Sequence, residues 1–284
     1  MKQNWIVDFK KNVHSQTGED GIIEKILSII PEKNNWCVEF GAWDGVHLSN
    51  TRYFIENYNY SAVLIEGSTE KYKELKENYS SNKNVYPINT YITLSKENNL
   101  DVVLSSTPIP INFDFISIDI DGCDYYVWKS IEKYKPKLVC IEFNPTIPTE
   151  VEYIQEPNFN VNFGNSLLAY YNLSKNIGYE LVCVTEWNAF FVVKEYYNLF
   201  KISDNAPYLM RTNLEHITYF FHGFNGSIKL SGYKKILWHD IEVTDKDIQV
   251  IPRTLRKFPD NFGKIKKLLL KFYSIYKYLK NKHF

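Results

Sequence analysis

The feature that most constrains the fold is an alternation of short apolar runs with longer amphipathic stretches, which covers the first two-thirds of the sequence. This alternation is typical of a parallel sheet covered by helices, because parallel strands need long crossover connections. The apolar runs predict seven strands, at residues 36–40, 62–66, 85–88, 115–120, 138–143, 181–184 and 189–193. The stretches between them predict helices at residues 19–30, 49–58, 69–79, 125–133 and 166–177.

The last two predicted strands differ from the others because only residues 185–188 separate them. A connection of this length is too short for a crossover helix and is typical of a hairpin. We therefore predict five parallel strands followed by an antiparallel pair. An ordinary dinucleotide-binding sheet lacks such a pair, so the pattern disfavours NAD as a ligand.

The first candidate site is the segment VEFGAWDGVHLSN at residues 38–50. It places an acid, Glu39, near the end of a strand and two glycines, Gly41 and Gly45, in the loop that follows. Backbone N–H groups of such loops bind polar, adenosine-bearing ligands. The spacing differs from G-x-G-x-x-G, and the Glu39 carboxylate suits a ligand with an ammonium and a sulfonium, such as S-adenosylmethionine (SAM). The alternative is a glycine turn that serves only to reverse the chain.

Two strand ends supply further candidates for nucleoside contacts. Glu66 ends the second predicted strand, where a carboxylate can accept hydrogen bonds from both hydroxyls of a ribose. Asn89 follows the third strand and is predicted to face the adenine. A solvated acid without a ligand is the alternative for Glu66.

A second cluster of polar residues follows the fourth and fifth predicted strands. Asp119, Asp121 and Asp124 crowd the end of the fourth strand, and Glu142 and Asn144 end the fifth. Like charges at this edge are unfavourable unless a cation is present. Asp121, Glu142 and Asn144 are therefore candidate ligands of a hard cation such as Mg²⁺, which would orient two substrate hydroxyls. In the alternative without metal, some acids bind the sulfonium side of the cofactor and one caps the next helix.

Six segments carry a resemblance to a known family. They are HSQTGEDGIIEKI, VEFGAWDGVHLSNT, LIEGSTEKYKELKENY, FISIDIDGCDYYVW, VCIEFNPTIP and FGNSLLAYYNLSKNIGYELV, and they span about residues 14–195. Together they resemble the class I SAM-dependent methyltransferases, specifically the FkbM-like group. The resemblance implies a Rossmann-like α/β fold, with a seven-stranded sheet whose last hairpin is antiparallel, flanked by helices. It also implies O-methylation of sugars or of other secondary or cell-surface metabolites.

The resemblance assigns roles by position. It implies that Glu66 binds the ribose and that Asp119, with Asp121, faces the methionine part of SAM. Other implied cofactor residues are Gln16, Glu39, Gly41, Ala42, Asp44, His47, Ser49 and Asn50. The DGCDY segment also resembles the D-G-D-x-Y of metal-dependent sugar O-methyltransferases, but it has Cys123 in place of the second aspartate. This departure leaves metal dependence open.

Methyl transfer to a sugar hydroxyl needs alignment of the oxygen, the methyl carbon and the sulfur, together with a base or a cation that activates the hydroxyl. The candidate bases are Asp121, His216 and His222, and His239 is a weaker candidate. For each histidine an ordinary place in the core or at the surface is the alternative.

Charge is unevenly distributed in a chain whose formal net charge is zero. Residues 253–284 hold ten Lys and Arg against one acid, Asp260, so the remaining 252 residues carry a net charge of −9. An acidic body disfavours nucleic acid as a partner. Residues 264–282 are predicted to form an amphipathic helix that docks on the body or on a second subunit of a homo-oligomer. The alternative is adhesion of this helix to an anionic membrane surface.

We divide the chain into a SAM-binding domain, residues 1–195, and a C-terminal extension, residues 196–284, with a β-rich piece at 228–251 and the basic helix. The N-terminus lacks the apolar stretch of a secretory signal, so we expect a cytoplasmic protein with reduced cysteines. The leading hypothesis is an O-methyltransferase for a carbohydrate hydroxyl, on a nucleotide-activated sugar or a capsule or lipopolysaccharide precursor. Alternatives are methylation of another small metabolite or phosphorylated group, and a non-catalytic cofactor-binding scaffold in glycan assembly.

Overall fold

A computed structural model describes residues 2–95 and 97–282 of the chain. The chain forms two compact units, Met1–Leu214 and Glu215–Phe284. The first unit contains a large sheet with its helices, and the second contains two small sheets and a long helix.

The first unit is built on a seven-stranded sheet. Its strands are β1 (Trp36–Phe40), β2 (Ser61–Glu66), β3 (Val85–Asn89), β4 (Phe115–Ile118), β5 (Leu138–Glu142), β6 (Tyr179–Val184) and β7 (Asn188–Val193). Their order in the sheet is β3-β2-β1-β4-β5-β7-β6. Strands β1 to β5 pair in parallel, and β7 is antiparallel to both β5 and β6. The predicted Rossmann-like methyltransferase sheet with an antiparallel final hairpin is confirmed.

All the strands except β3 are buried along almost their whole length, which explains why the sequence located them. Every residue of β6 and β7 is buried, and so are residues 62–66 of β2. Strands that are covered on both faces are encoded as continuous apolar runs rather than as alternating patterns. The cysteines, at positions 37, 123, 140 and 183, are buried free thiols.

Helices lie before, between and after the strands of the first unit. They are α1 (Glu19–Ile29), α2 (Arg52–Tyr58), α3 (Thr69–Asn78), α4 (Leu100–Ser105), α5 (Asp124–Lys129), α6 (Leu167–Ile177), α7 (Lys194–Tyr197) and α8 (Pro207–Met210). Two helices begin at serines, Ser68 before α3 and Ser166 before α6, whose side chains accept hydrogen bonds from N–H groups of the first turn. Helices α4, α7 and α8 were not predicted, because so few residues give no helical periodicity.

Helix α5 is shorter than the helix predicted at 125–133. The N–H groups of Glu132, Lys133 and Tyr134 donate hydrogen bonds to the Asp101 carboxylate in α4, at 2.7, 2.9 and 3.2 Å. These contacts hold the segment after Lys129 outside the helix. The prediction for this segment was wrong because a tertiary contact outweighs the local helical pattern.

A buried ion pair lies at the amino ends of β4 and β5. Asp114 precedes β4 and Lys137 precedes β5, and Lys137 Nζ lies 2.8 Å from Asp114 Oδ1. The two side chains are only 0% and 5% exposed. Asp114 also accepts hydrogen bonds from the N–H groups of Asn34 and Asn35 and from the Tyr60 hydroxyl. These partners offset the desolvation of a buried charge.

The first unit continues beyond residue 195. Arg211 is buried, and its guanidinium donates hydrogen bonds to the carbonyl oxygens of Pro145 and, at 2.7 Å, of Ile147. Asn205 donates a hydrogen bond to the carbonyl oxygen of Leu181 in β6 at 3.1 Å. Residues 196–214 therefore pack on the unit that contains the large sheet.

The second unit consists of two small antiparallel sheets and a helix. Its elements are β8 (Thr218–His222), β9 (Ile228–Gly232), β10 (Lys235–Ile236), β11 (Ile241–Glu242) and α9 (Lys264–Asn281). Helix α9 matches the amphipathic helix predicted at 264–282. The β-rich piece predicted at 228–251 contains β9 to β11 and misses β8. Among residues 2–95 and 97–282, no helix is long and apolar enough to cross a bilayer.

Candidate functional site at the carboxyl ends of the strands

The loop after β1 comes very close to the end of β4. Gly41 has a φ of +86°, and a Cβ here would lie 1.8 Å from the carbonyl oxygen of Asp119. Only glycine fits, because any other residue would strain the left-handed backbone and clash. The N–H groups of Gly41 and Ala42 both donate to the carbonyl oxygen of Ile65 in β2, at 3.1 Å. These two N–H groups fasten the loop to β2 and so are engaged within the chain.

Glu39 in β1 is the centre of a buried hydrogen-bond network. Its carboxylate accepts hydrogen bonds from the Ser49 hydroxyl, the Asn50 N–H and the Thr51 hydroxyl, at 2.6, 2.7 and 2.6 Å. Burial raises the pKa of Glu39, and these hydrogen bonds oppose the shift. The Asn50 side chain extends the network to the Ser117 hydroxyl in β4 at 2.9 Å. Three predicted cofactor residues thus fix the entry into α2.

Asp44 shapes the outer part of the glycine loop. Its Oδ1 accepts hydrogen bonds from the N–H groups of Val46 and His47, at 2.9 and 2.7 Å. Partial burial acts to raise its pKa, but these hydrogen bonds hold the pKa of Asp44 below its usual value. Gly45 is required beside α3, since a Cβ there would lie 2.4 Å from Leu75. Asp44 therefore orders the loop, and His47 is exposed on it.

Glu66 and Asn89 lie side by side at the ends of β2 and β3. The Glu66 carboxylate accepts hydrogen bonds from the N–H groups of Trp43, at 2.8 Å, and Ser68, at 2.7 Å. A carboxylate oxygen has a second lone pair, so Glu66 retains acceptor capacity. The Asn89 amide donates to the backbone carbonyl oxygen of Glu66 at 2.8 Å. The two residues predicted to contact the nucleoside are therefore adjacent.

Two aromatic residues beside Glu66 were not among the predicted site residues. Trp43, whose N–H binds Glu66, is 49% exposed. Tyr91 is 73% exposed, and its ring lies so close to Gly67 that a Cβ there would be 2.4 Å from it. Large exposed aromatic side chains at a strand end are typical of a binding surface. The position of Trp43 inside the glycine loop was the available sequence signal.

Asp119, Asp121 and Glu142 come together beyond β4 and β5. One carboxylate oxygen of each lies within 4.8 Å of the others; Asp119 and Asp121 are exposed and Glu142 is partly buried. Desolvation by the surrounding protein, followed by the charges of neighbouring acids, raises the pKa of Asp119 to about 8 and that of Glu142 to about 10. Desolvation and the charges of neighbouring acids therefore both disfavour the ionised forms of Asp119 and Glu142.

Asp124 holds the loop that carries Asp121. Its carboxylate is buried and accepts hydrogen bonds from the N–H groups of Ile120 and Gly122, at 2.9 and 2.8 Å. Burial raises the pKa of Asp124 to about 6, although these hydrogen bonds oppose the shift. Asp124 thus closes the turn into α5. The N-cap residue of α5 is Cys123, which makes no side-chain capping hydrogen bond, so the helix-capping role suggested for one of these acids stays a prediction.

Asn144, the third predicted cation ligand, uses both ends of its side-chain amide in hydrogen bonds within the protein. Its Oδ1 accepts hydrogen bonds from the N–H and the hydroxyl of Thr146, at 2.9 and 2.7 Å. Its amide donates to the carbonyl oxygen of Phe163 at 2.7 Å. Asp119 also lies beside Asp121 and Glu142 and could serve as a ligand with them.

Two buried amides fix the loop that precedes α6. Gln155 Oε1 accepts hydrogen bonds from the N–H groups of Phe163 and Gly164, at 3.1 and 2.9 Å. Asn165 donates to the carbonyl oxygen of Gly122 at 2.8 Å, which ties this loop to the one after β4. Sequence reasoning missed both residues, because the partners of a buried amide depend on distant segments that no local motif records.

Three further predicted residues belong to other segments. Gln16 is exposed ahead of α1. His216 and His222 belong to the second unit, where His216 packs edge-on against Tyr233 with ring centroids 5.1 Å apart and His222 is exposed at the end of β8. The role of His216 and His222 as bases stays a prediction, and so does the role of Gln16 in binding the cofactor.

The strand order reverses between β1 and β4, and open α/β sheets bind their ligands at this switch point. The Gly41 loop meets Asp119 there. On the β2 side, Glu66 and exposed aromatic rings form a surface suited to a nucleoside. On the β4 and β5 side, carboxylates form a surface suited to protons or cations.

No family model matches the sequence, and no curated protein matches it. A SAM-dependent methyltransferase from Aquifex aeolicus is 15% identical with a TM-score of 0.39, over 68% of this chain and 98% of that one. The N-terminal domain of EvdMO1 with SAH bound is 11% identical with a TM-score of 0.42, over 62% and 79%. A precorrin-6y C5,15-methyltransferase from Geobacter metallireducens GS-15 is 13% identical with a TM-score of 0.40, over 65% and 92%. The fold assignment rests on the strand order and register described above.

Proposed function

We propose that the protein is a SAM-dependent O-methyltransferase whose acceptor is a carbohydrate hydroxyl, on a nucleotide-activated sugar or a capsule or lipopolysaccharide precursor. The observation that carries the proposal is the division of the switch point into two surfaces, one around Glu66 and one around Asp121. A methyltransferase needs one surface for its nucleoside cofactor and another where a hydroxyl loses its proton. The carbohydrate acceptor is supported by the resemblance of residues 14–195 to FkbM-like enzymes.

The residues around Glu66 fit the nucleoside part of SAM. The Glu66 carboxylate accepts hydrogen bonds from the N–H groups of Trp43 and Ser68. Its remaining lone pairs can accept hydrogen bonds from the two ribose hydroxyls. The exposed rings of Trp43 and Tyr91 offer apolar faces to an adenine. When bound, SAM supplies an electrophilic methyl group on its sulfonium.

Asp121 is the residue that we assign to the acceptor hydroxyl. It is exposed beyond β4, and its carboxylate belongs to the cluster with Asp119 and Glu142. A protonated sugar hydroxyl is a poor nucleophile, so Asp121 accepts its proton during methyl transfer. The Asp124 hydrogen bonds to Ile120 and Gly122 hold the loop on which Asp121 lies.

The same cluster fits a hard divalent cation. Asp119, Asp121 and Glu142 would hold it, because their oxygens lie within 4.8 Å of one another. Desolvation and then repulsion between the acids raise the pKa of Asp119 and Glu142, and the charge of the cation would favour their ionised forms. Such a cation would lower the pKa of an acceptor hydroxyl.

Isothermal titration of the purified chain with S-adenosylhomocysteine (SAH) tests the proposal, with NAD as a control and each ligand titrated with and without Mg²⁺ after chelation. We expect SAH to bind and NAD not to bind. The Glu66→Gln variant should bind SAH roughly tenfold or more weakly, since it loses a hydrogen bond to a charged acceptor. Glu70→Gln, an exposed position in the first turn of α3, is the matched control and should bind as the wild type does.

The outcomes separate the candidate functions. A chain that binds no SAH, or that binds NAD instead, would contradict the proposal. Transfer of a methyl group to any nucleotide sugar, detected as a mass increase, would exclude the purely scaffolding alternative. SAH binding that depends on Glu66, without transfer to sugars, would favour a different small-molecule acceptor or the scaffold.

A further inference from the structure

Helix α9 carries an apolar stripe that is exposed to solvent. At about 100° per residue, seven apolar and aromatic side chains fall within one arc of roughly 120°. They are Ile265, Leu268, Leu269, Phe272, Ile275, Tyr276 and Leu279, and they are 46–76% exposed. A contiguous apolar surface of this kind is typical of an interaction site.

The helix contacts its own unit through a different side. Leu270 and Tyr273 lie outside the arc of the stripe and are partly buried. The Tyr273 hydroxyl donates a hydrogen bond to the carbonyl oxygen of Val250 at 2.5 Å. Leu270 lines a cavity together with Pro259 and Phe262, and Ile275 at one edge of the stripe also lines it. The other six side chains of the stripe do not line this cavity and are 51–76% exposed, while the helix stays attached to the second unit.

Lysines border the stripe on both edges. Helix α9 contains six lysines and no acidic residue. Lys264 and Lys271 fall next to one edge of the arc, and Lys280 falls next to the other. The whole second unit has fourteen Lys and Arg against six Asp and Glu. Lysine side chains lie along apolar surface while their ammonium groups reach outward.

An apolar stripe bordered by lysines complements a bilayer of acidic lipids, which has an apolar acyl interior beneath anionic headgroups. A second copy of the chain fits the stripe less well. Two α9 helices packed stripe to stripe would bring the bordering lysines of both copies together, with no acid on either helix to pair with them. Charge complementarity therefore favours lipid over a second copy.

We propose that α9 binds the surface of an anionic lipid membrane, with the apolar stripe at the acyl boundary and the lysines at the headgroups. The helix lies in the plane of the interface rather than crossing it, in keeping with its lysine content. Membrane binding through α9 is independent of the chemistry proposed for the first unit.

Flotation of the full chain with lipid vesicles tests this proposal. We expect binding to vesicles that contain phosphatidylglycerol and little binding to vesicles of phosphatidylcholine alone, with binding to the former weakened by salt. The double variant Leu268→Ser/Phe272→Ser should bind roughly tenfold or more weakly, because it removes two apolar side chains from the contact. The matched control is Tyr208→Ser in α8, which removes a 71% exposed aromatic of the first unit and should leave binding unchanged.

Two results would overturn the proposal. One is equal binding of the double variant and the wild type to phosphatidylglycerol vesicles, which would place the lipid contact elsewhere. The other is a wild type that does not float with these vesicles. If gel filtration then shows a dimer that the double variant dissociates, the stripe joins two copies of the chain. Unchanged thermal unfolding of the variant shows that the exposed substitutions leave the fold intact.

Discussion

Strands β4 and β5 have charged residues at both ends. At the amino ends an acid pairs with a base, whereas at the carboxyl ends acids lie beside other acids. At the amino ends, Asp114 pairs with Lys137 at 2.8 Å, and both are buried. At the carboxyl ends, Asp119 and Glu142 lie among other acids, which raise their pKa after desolvation has already done so. The first arrangement satisfies a buried charge, whereas in the second desolvation and like charges disfavour the ionised forms of the acids. Acids whose pKa is perturbed in this way are typical of a binding or catalytic site.

The largest effect is expected at the amino ends. Lys137→Met should destabilise the first unit by about 3–5 kcal/mol, because it leaves the Asp114 charge buried without its partner. Urea unfolding followed by circular dichroism measures the change. The control is Lys135→Met, whose exposed pair with Glu195 at 3.4 Å should contribute less than about 1 kcal/mol. Similar losses in the two variants would contradict the distinction between a buried and an exposed pair.

The second effect concerns turnover at the carboxyl ends. Asp121→Asn should lower turnover about 10²-fold or more, as expected for a lost base or cation ligand, and leave SAH binding nearly unchanged. Asparagine tolerates the φ of +57° found at this position, so the loop should keep its conformation. The rate of methyl transfer to a sugar that the wild type methylates gives the turnover. Calorimetry with SAH gives the binding affinity. Equal losses of binding and turnover would instead place Asp121 against the cofactor.

The third effect tests the close approach between the β1 loop and β4. Gly41→Ala should destabilise the first unit by about 1–3 kcal/mol more than Gly178→Ala, through overpacking against Asp119. Both glycines have similar φ values, +86° and +84°, but a Cβ at Gly178 meets nothing within 4 Å. The difference in urea unfolding free energy therefore isolates the contact. Two equal losses would show that left-handed strain alone explains the glycine.

The smallest expected effect is the contribution of Glu39 to the pH dependence of stability. Because burial raises its pKa above 4.5, Glu39 contributes its full stability below that pH and loses it as pH rises through the raised pKa. In Glu39→Gln this titration is absent. The melting temperature of the variant relative to the wild type should therefore increase as pH rises above 4.5. A difference that stays flat across the pH range would show that the Ser49, Asn50 and Thr51 hydrogen bonds cancel the burial.

The sequence predicted most of the architecture because buried strands are encoded as continuous apolar runs. The short connection at 185–188 predicted the antiparallel hairpin of β6 and β7, and the periodicity of 264–282 predicted α9. The end of α5 was missed because the hydrogen bonds of Glu132, Lys133 and Tyr134 to Asp101 are tertiary contacts. Such contacts leave no local pattern.

The candidate site was predictable as a location rather than as a set of contacts. The acids at the ends of β4 and β5 meet because carboxyl ends of neighbouring parallel strands share one edge of the sheet. The sequence did not show which of the polar side chains form hydrogen bonds within the protein itself. Glu39 accepts three hydrogen bonds from residues 49–51, and the Asn144 amide is bound to Thr146 and Phe163. These pairings depend on the packed positions of loops, which spacing alone does not determine.

The buried amides of Gln155 and Asn165 have a consequence for how this protein can diversify. They hold the loop before α6 through backbone groups, including the N–H of Phe163 and the carbonyl oxygen of Gly122. The side chains of Phe159 and Phe163 on the same loop are 44% and 54% exposed and take no part in those hydrogen bonds. Replacement of these side chains would therefore leave the hydrogen bonds of Gln155 and Asn165 to the backbone available. The loop combines an anchored backbone with side chains whose chemistry can change independently of it.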